Sequence, residues 1–340
     1  MKSVALKPDG RAIVEDIPQS KLKSGDILVE MKACGLCGTD IEKMRGRYTA
    51  SQPVLGHEAS GVIADVGDNT ESFRVGDRVF PHHHVPCYQC HFCRHGSETM
   101  CSHYRASNYD PGGFAEYFRV PAWNVEHGGV LKLPDHVSFE EASLIEPVAC
   151  CIRSLERCGI SGDETVLVVG AGPIGLTHLR LLSMWGARVL VSDINATRLT
   201  FAERFGANAV YDASKTDVPS KIKGETGGLG ADLAVVASGS SKAIAQALGA
   251  VRRGGKVCVF GVPAKGSRLD YDFSDVFNSE VSIITSNAAT EAETTTALRM
   301  MEKHRLNLNS IITHRFRLDE FNSAVKTAMK GDCEKIIITS

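Results

Sequence analysis

No stretch of this 340-residue sequence approaches the roughly 18–20 consecutive apolar residues of a membrane-spanning helix. The N-terminal stretch MKSVALKPDGRAIVEDIP lacks the apolar core of a secretory signal. Blocks of like charge are also absent and the net charge is −2, which argues against nucleic acid or a membrane surface as the main partner. We therefore expect a cytoplasmic protein, whose eleven cysteines serve as ligands, nucleophiles or core residues rather than in disulfides.

The sequence contains neither internal repeats nor low-complexity tracts, and its length predicts two domains. Short Val/Ile runs separated by Gly, Pro and Asp predict a β-rich beginning. From about residue 140, apolar strands alternate with helical stretches, which predicts βαβ units and a doubly wound parallel sheet. We predict an α/β protein with a β-rich domain over residues 1–149 and 287–340 and the doubly wound domain over residues 150–286.

The segment TVLVVGAGPIGL predicts a nucleotide-binding turn, because its glycines directly follow an apolar strand and open a helix. In such a turn the backbone approaches a pyrophosphate at the helix N-terminus. Asp193 ends the next strand, where a carboxylate accepts hydrogen bonds from the ribose and repels a 2′-phosphate. NAD is therefore favoured over NADP, although Arg198 is a group that a 2′-phosphate attracts; a doubly wound domain without a nucleotide is the alternative. The predicted cofactor residues are Gly170, Gly172, Pro173, Ile174, Gly175, Asp193 and Arg198.

Four cysteines in one short loop, Cys87, Cys90, Cys93 and Cys101, predict a structural zinc site. Four thiolates surround a tetrahedral zinc ion and leave no position open for a substrate. An iron–sulfur cluster is the rival, but the bacterial ferredoxin pattern has a shorter final gap and a following proline.

Outside that loop, further residues have metal-binding side chains: Cys34, Cys37, His57, Glu58 and Glu146. A catalytic zinc uses fewer protein ligands and keeps one position open. Taken singly, each residue also fits an ordinary packed or hydrogen-bonded role. Cys34 and Cys37 have, in addition, the spacing of a thioredoxin-like redox pair. The residues alone leave these interpretations open.

Several blocks occur together in an order that resembles the zinc-dependent medium-chain dehydrogenase/reductase family over essentially the whole chain. The blocks are CGLCGTD, GHEASGVIADVG, GDRV, the cysteine loop, GGFAEY, IEPVAC and GAGPIGL. The resemblance implies a GroES-like catalytic domain and a Rossmann nucleotide-binding domain. It also implies an enzyme that oxidises a secondary alcohol with NAD, and two zinc ions per chain, one catalytic and one structural.

The resemblance further assigns ligands for the catalytic zinc. Cys37 and His57 match two ligand positions, and Glu146 matches the third, either directly or through a water. Cys34 matches no ligand position and is expected to be a packed residue. Glu58 resembles the family's mobile carboxylate, which can enter the zinc shell.

Residues around these ligands also have counterparts in the family. Asp40 matches the carboxylate that orients the ligand histidine, and Lys335 matches a basic residue that often pairs with the mobile carboxylate. A Thr or Ser hydroxyl two residues after the ligand cysteine touches the substrate oxygen in the family, which corresponds to Thr39. His84 matches a histidine of L-threonine dehydrogenases and is either a proton carrier or an ordinary loop residue.

The expected chemistry begins with loss of the alcohol's hydroxyl proton, whose pKa is far above neutral. Zinc is the Lewis acid that makes the alkoxide available near pH 7. The protein holds the reacting carbon close to the nicotinamide ring, which accepts the hydride.

The substrate remains open between polyols, L-threonine and other secondary alcohols. The GHEASG block and Glu146 resemble polyol dehydrogenases, whereas Thr39 with His84 resembles L-threonine dehydrogenase. Arg47 and Tyr48 either line the pocket or, for Arg47, contribute only a surface charge.

Two rival functions remain, a zinc-free reductase on the same scaffold and a non-catalytic dinucleotide-binding protein. Neither is favoured, because all three ligand positions are filled by metal-binding residues. Family members are commonly dimers or tetramers, so we expect a homo-oligomer formed near VSIITS, at the edge of the nucleotide-domain sheet.

Overall fold

The computed structural model describes residues 1–47, 54–304, 306–331 and 333–340, which fold into two compact units. The first unit comprises Met1–Ala149 and Ala288–Ser340, and the second comprises Cys150–Asn287. The chain thus returns to the first unit one residue later than the predicted boundary. None of the described helices combines the length and the apolar character needed to span a membrane.

Both units contain β-strands, which are numbered in chain order. They are β1 (Lys2–Leu6), β2 (Ala12–Asp16), β3 (Ile27–Gly35), β4 (Glu58–Val66), β5 (Arg78–Pro81), β6 (Tyr117–Val120), β7 (Val130–Lys132), β8 (Thr165–Val169), β9 (Arg188–Asp193), β10 (Ala209–Asp212), β11 (Ala231–Val236), β12 (Val251–Val259), β13 (Ser282–Thr285), β14 (Ile312–Arg317) and β15 (Lys335–Thr339).

The helices connect and cover these strands. They are α1 (Gly38–Met44), α2 (His91–Arg94), α3 (Ser102–Ala106), α4 (Ala122–Glu126), α5 (Phe139–Ala142), α6 (Ile145–Cys158), α7 (Pro173–Met184), α8 (Ala196–Arg204), α9 (Val218–Glu225), α10 (Ser241–Ala250), α11 (Phe273–Asn278), α12 (Glu291–Glu302) and α13 (Phe321–Lys330). Short 3₁₀ turns lie at Glu98–Met100, Asn309–Ile311 and Leu318–Glu320.

The first unit is built on a mainly antiparallel sheet with strand order β14-β15-β3-β4-β5-β7, and β6 pairs with β3. In the centre of this sheet, Gly35 of β3 lies opposite Glu58 of β4 and Ile337 of β15. Because side chains alternate along a strand, Lys335 projects to the same face as Ile337, two residues on. The strand register therefore brings Lys335 and Glu58 to one face beside Gly35.

The start of α1 places the next residues of this region. The chain leaves β3 at Gly35, and Cys37 is the N-cap of α1. The Cys37 backbone N–H donates to Asp40 Oδ2 at 3.1 Å, which satisfies one of the free donors at a helix N-terminus. Cys37 and Asp40 are thereby fixed relative to each other by the helix start itself.

The second unit contains a parallel sheet with strand order β10-β9-β8-β11-β12-β13. Val166, Leu167 and Val168 of β8 are fully buried, as expected for a strand with helices on both faces. The strands β9 and β10 lie on one side of β8, whereas β11, β12 and β13 lie on the other. The carboxyl end of β8 is therefore the topological switch point, where such sheets bind ligands. The predicted α/β fold class is confirmed.

Candidate metal centres and nucleotide site

One cluster of metal-binding side chains lies where β3, α1 and β4 meet. It consists of Cys37, His57 and Glu58, whose candidate ligand atoms all lie within 4.8 Å of one another. Cys37 and His57 are partly exposed, whereas Glu58 exposes only 1% of its surface. Sulfur, imidazole and carboxylate are the donor types of a catalytic zinc site.

Buried charged groups hold this cluster in place. Asp40 is fully buried and its Oδ1 lies 3.6 Å from Nδ1 of His57, which leaves Nε2 as the ring nitrogen for a metal. The Lys335 ammonium donates to Glu58 Oε2 and lies 3.4 Å from the Leu36 carbonyl oxygen. The predicted contacts of Asp40 with His57 and of Lys335 with Glu58 are therefore both present in the structure.

The electrostatics of the cluster fit a bound cation. Burial alone lowers the pKa of His57, but the neighbouring Asp40 and Cys37 raise it well above its usual value. The buried carboxylate of Asp40 thus favours a positive charge beside it. A divalent zinc ion satisfies the same need, so the donor set and the charge both fit zinc.

Glu146, the predicted third ligand, does not belong to the three-residue cluster among the described residues. It lies buried in the first turn of α6. Its charge is close enough to contribute to the raised pKa values of Tyr109 and Lys335, so it lies near the cluster. The carboxylate inside the cluster is instead Glu58.

Three consecutive histidines, His82, His83 and His84, follow β5 and lie beside the cluster. The His83 ring centroid is 5.3 Å from that of His57 and 4.1 Å from that of His84. His84 Nδ1 lies 2.6 Å from the Ser107 carbonyl oxygen, which can only accept, so Nδ1 carries the proton. Burial lowers the pKa of His84 to about 4, so the ring is neutral at pH 7 and its Nε2 can accept a hydrogen bond.

The run also contains a residue whose position the sequence did not indicate. His82 is 1% exposed, and both of its ring nitrogens lack hydrogen-bond partners in the described part of the chain. The sequence predicts no role for His82 or His83. Of the two proposed pocket residues near α1, Arg47 is exposed and pairs with Glu42 at 3.6 Å, whereas Tyr48 lies outside the described residues.

The four-cysteine loop forms the second cluster, with all four sulfur atoms within 4.8 Å of one another. Cys90 and Cys93 are 3.5 Å apart at sulfur, as are Cys87 and Cys101. A zinc–sulfur distance of about 2.3 Å places tetrahedral sulfurs about 3.8 Å apart, which fits these separations. Hydrogen bonds from the Gln89 and Cys90 backbone lower the pKa of Cys87 to about 6, which favours the thiolate that binds metal.

The predicted nucleotide turn lies at the switch point of the parallel sheet. Gly170 follows β8 with a φ of +103°, and Gly172 is the N-cap of α7. A Cβ on Gly175 would lie 1.8 Å from the Gly170 carbonyl oxygen, so only glycine allows this helix start. Pro173 and Ile174 open α7, whose N-terminal N–H groups can bind a pyrophosphate.

Two charged residues lie next to this turn. Asp193 ends β9, and its carboxylate accepts from the Ala171 N–H at 2.7 Å and the Asn195 N–H at 2.8 Å. An Arg198 guanidinium nitrogen lies 3.7 Å from the position of a Cβ on Gly172, and Arg198 Nε is buried without a partner in the described residues. The structure thus brings together the residues predicted to bind the cofactor.

Two family models match the chain. The model described as alcohol dehydrogenase GroES-like domain matches residues 23–135, and the model described as zinc-binding dehydrogenase matches residues 173–303. Together they cover parts of both units.

Curated relatives match over nearly their whole length. A sorbitol dehydrogenase of Halalkalibacterium halodurans is 28% identical over 335 residues, which are 97% of this chain and 96% of the relative. An L-threonine 3-dehydrogenase of Serratia proteamaculans is 30% identical over 348 residues, covering 100% of this chain and 99% of the relative. Among solved structures, an NADP-bound zinc-binding dehydrogenase of Sinorhizobium meliloti aligns with a TM-score of 0.91 at 26% identity, covering 100% of this chain and 99% of that one.

The matches extend over the β-rich unit, the parallel sheet and both metal clusters. The chain therefore belongs to the zinc-dependent medium-chain dehydrogenase/reductase family, within which it is a secondary-alcohol or polyol dehydrogenase.

Proposed function

We propose that the enzyme oxidises a polyol-like secondary alcohol to a ketone, with NAD as the hydride acceptor and a catalytic zinc. The observation that carries this proposal is the convergence of Cys37, His57 and Glu58 within 4.8 Å. The nucleotide turn at the end of β8 supports it from the second unit.

The proposed zinc ligands are Cys37, His57 and a carboxylate. Glu146 is the carboxylate that the family resemblance favours, whereas the short ligand-atom distances favour Glu58. When bound, zinc supplies a Lewis acid that lowers the pKa of the substrate hydroxyl. Glu58 is the carboxylate proposed to exchange with a zinc ligand, and its ion pair with Lys335 restrains it. A second, structural zinc at Cys87, Cys90, Cys93 and Cys101 completes a proposed total of two per chain.

Two side chains are proposed to handle the hydroxyl proton. Thr39 lies in the first turn of α1, half-buried, two residues from Cys37. Its hydroxyl can both accept from the substrate and donate onward. His84 is the proposed next carrier, because the Ser107 carbonyl oxygen holds Nδ1–H and leaves Nε2 as the ring nitrogen that can accept a hydrogen bond.

NAD is the proposed cofactor because Asp193 ends β9, the position from which a carboxylate accepts from the ribose hydroxyls in dinucleotide-binding folds. Its carboxylate is already oriented by two backbone N–H groups, and it repels a 2′-phosphate. Arg198 is the group that would favour NADP, and a related structure holds NADP. We propose that Arg198 contacts the nucleotide phosphates or adenine without reversing the preference set by Asp193.

The eleven free cysteines support a reducing, cytoplasmic location. A homo-oligomer is proposed to form through the exposed edge strand β13. The substrate is proposed to be a polyol, with L-threonine and other secondary alcohols as the further candidates; the named relatives support the first two.

The test is reduction of NAD and of NADP by purified enzyme with sorbitol, xylitol, L-threonine, 2,3-butanediol and a simple secondary alcohol. We expect turnover with one substrate class, preference for NAD, and loss of activity after chelation that zinc restores. Zinc analysis should give two ions per chain. If zinc-loaded enzyme turns over none of these alcohols, the result would contradict the proposed class of substrate.

Matched variants test the ligand assignment. Cys37→Ala should lose one zinc of two, whereas Cys34→Ala should keep both, because the buried Cys34 lies outside the cluster. Glu58→Gln and Glu146→Gln test which carboxylate binds the catalytic zinc, because only the variant that removes the ligand should lower the zinc affinity. Equal zinc loss in Cys34→Ala and Cys37→Ala would contradict the assignment of Cys37.

A further inference from the structure

Lys43 is a half-buried cation on the helix that carries the proposed catalytic residues. It lies in the last turn of α1, four residues after Thr39 and three after Asp40. Residues three and four apart share one face of a helix. Lys43 therefore shares the face of α1 that presents Thr39, one helical turn further from Cys37.

The charge of Lys43 reaches several groups beside the metal cluster. Burial is the main cause of the lowered pKa values of His83 and His84, and the Lys43 ammonium lowers both further. Burial raises the pKa of Asp40, but the effects of His57 and, after it, Lys43 outweigh burial and leave that pKa lowered. These groups lie on α1 and on the loop after β5, so the Lys43 charge acts on both segments.

No acidic side chain in the described part of the chain forms an ion pair with Lys43. The neighbouring cations are paired, since Glu42 lies 3.0 Å from Arg45 and 3.6 Å from Arg47. Asp40 is fully buried and its carboxylate faces the Cys37 N–H and His57 instead. A partly desolvated ammonium that forms no ion pair within the described residues favours an anionic ligand, because charge-assisted hydrogen bonds are the stronger ones.

We propose that Lys43 binds an anionic group of the substrate, so that the enzyme prefers a secondary alcohol carrying a phosphate or carboxylate over its uncharged analogue. This rests on the proposed function, in which the reacting hydroxyl lies beside Cys37 and Thr39. One helical turn of four residues spans about 6 Å, which suits an anion a few carbon atoms from the reacting carbon. A sugar-alcohol phosphate and an amino-acid carboxylate share this chemistry.

The test compares kcat/KM within matched substrate pairs. The pairs are sorbitol 6-phosphate with sorbitol, for phosphate, and L-threonine with its methyl ester, for carboxylate. We expect the wild-type enzyme to favour the anionic member of one pair by about tenfold or more. In Lys43→Met this ratio should fall to near one, mainly through KM for the anion, whereas Lys43→Arg should keep part of it.

Arg45→Met is the matched control, because it removes the same charge from the same segment but from an exposed, paired side chain. It should leave the ratio unchanged. A wild-type preference for both uncharged members, or equal falls of the ratio in Lys43→Met and Arg45→Met, overturns the proposal. Zinc content and unfolding temperature confirm that the variants are folded.

If neither pair is turned over, the proposed substrate class fails separately, and binding still tests Lys43. Inorganic phosphate, added to zinc-loaded protein, should raise the unfolding temperature of the wild type and of Arg45→Met more than that of Lys43→Met. Equal shifts in all three proteins overturn the proposal.

Discussion

Gly35 lacks a side chain at a position where Glu58 needs the space. A Cβ on Gly35 would lie 1.9 Å from Glu58 Oε2 and 2.8 Å from Lys335 Cε. The cause is the register of the sheet, which sets Gly35 opposite Glu58 and next to the strand that carries Lys335. At the scale of single residues, the buried ion pair beside the metal cluster thus depends on a glycine.

The first prediction follows from this contact. Gly35→Ala should displace the Glu58 carboxylate and weaken binding of the catalytic zinc, because carboxylate and alanine methyl cannot share the space. We expect zinc content to fall from two ions toward one and kcat to fall by roughly tenfold or more, the order of loss seen when groups that orient a metal site are removed.

Gly38→Ala is the control for Gly35→Ala. It lies on the adjacent helix, and a Cβ there would meet nothing within 4 Å. We expect normal zinc content and activity from Gly38→Ala. Retention of both zinc ions by Gly35→Ala would show that Glu58 has no part in holding the metal.

Residue types were easier to predict than distances. The four loop cysteines were predicted from their spacing, because four thiols in one short loop fit a tetrahedral zinc ion, whereas Cys37 and His57 were assigned as ligands only through the family resemblance. The sequence does not show which carboxylate, Glu58 or Glu146, lies nearer to Cys37 and His57, because this depends on where α6 lies relative to β4. Lys43 and Gly35 were not identified at all, because their significance arises only from helix face and strand register.

At the scale of elements, a buried polar contact joins α6 to α7. His178 is fully buried, and its Nδ1–H donates to the Ile174 carbonyl oxygen at 2.9 Å. Its Nε2 lies 2.8 Å from Ser154 Oγ on α6. Burial lowers the pKa of His178 to about 4, so the ring is neutral in the folded protein at pH 7.

This contact predicts an acid sensitivity of the second unit. Below a pH of about 6.5 the unfolded chain protonates this histidine, whereas the folded protein does so only near its lowered pKa. The free energy of unfolding therefore falls as the pH drops through this window. At pH 5 the loss from His178 is roughly 2 kcal/mol relative to pH 7.

Calorimetry at pH 7 and pH 5 tests this sensitivity. His178→Asn should have a lower unfolding temperature at pH 7 but should lose less stability on acidification than the wild type. His136→Asn removes an exposed histidine and should keep the wild-type dependence. The same pH dependence in His178→Asn and the wild type would contradict a role for His178.

At the scale of the whole molecule, the alternation of strands and helices was sufficient to predict the parallel sheet of the second unit. The period of apolar residues carries that information, because buried parallel strands are almost continuously apolar. The apolar pattern does not predict the exposure of β13. Its sequence SIIT resembles a buried strand, but Ile283 is 40% exposed. The family resemblance predicted an edge near VSIITS, and the strand order shows that β13 is an edge strand.

An exposed apolar edge predicts association with a second copy of the chain. Phe273 and Phe277 of α11, near β13 in the sequence, are 66% and 79% exposed. Unpaired strand edges with apolar neighbours are sites of strand addition, and a lysine on the edge prevents it. We expect the wild type to be an oligomer in analytical ultracentrifugation and Ile283→Lys to be a folded, zinc-loaded monomer.

Leu229→Lys is the matched control for this prediction, because Leu229 is 69% exposed but precedes β11, away from the edge strand. It should leave the oligomer intact, since its charge does not meet the partner's β13. A monomeric wild type, or an Ile283→Lys variant that stays oligomeric, would place any association surface elsewhere than β13. Dissociation by both lysines would instead indicate that added charge alone disrupts association, because only one of the two sites lies on the edge.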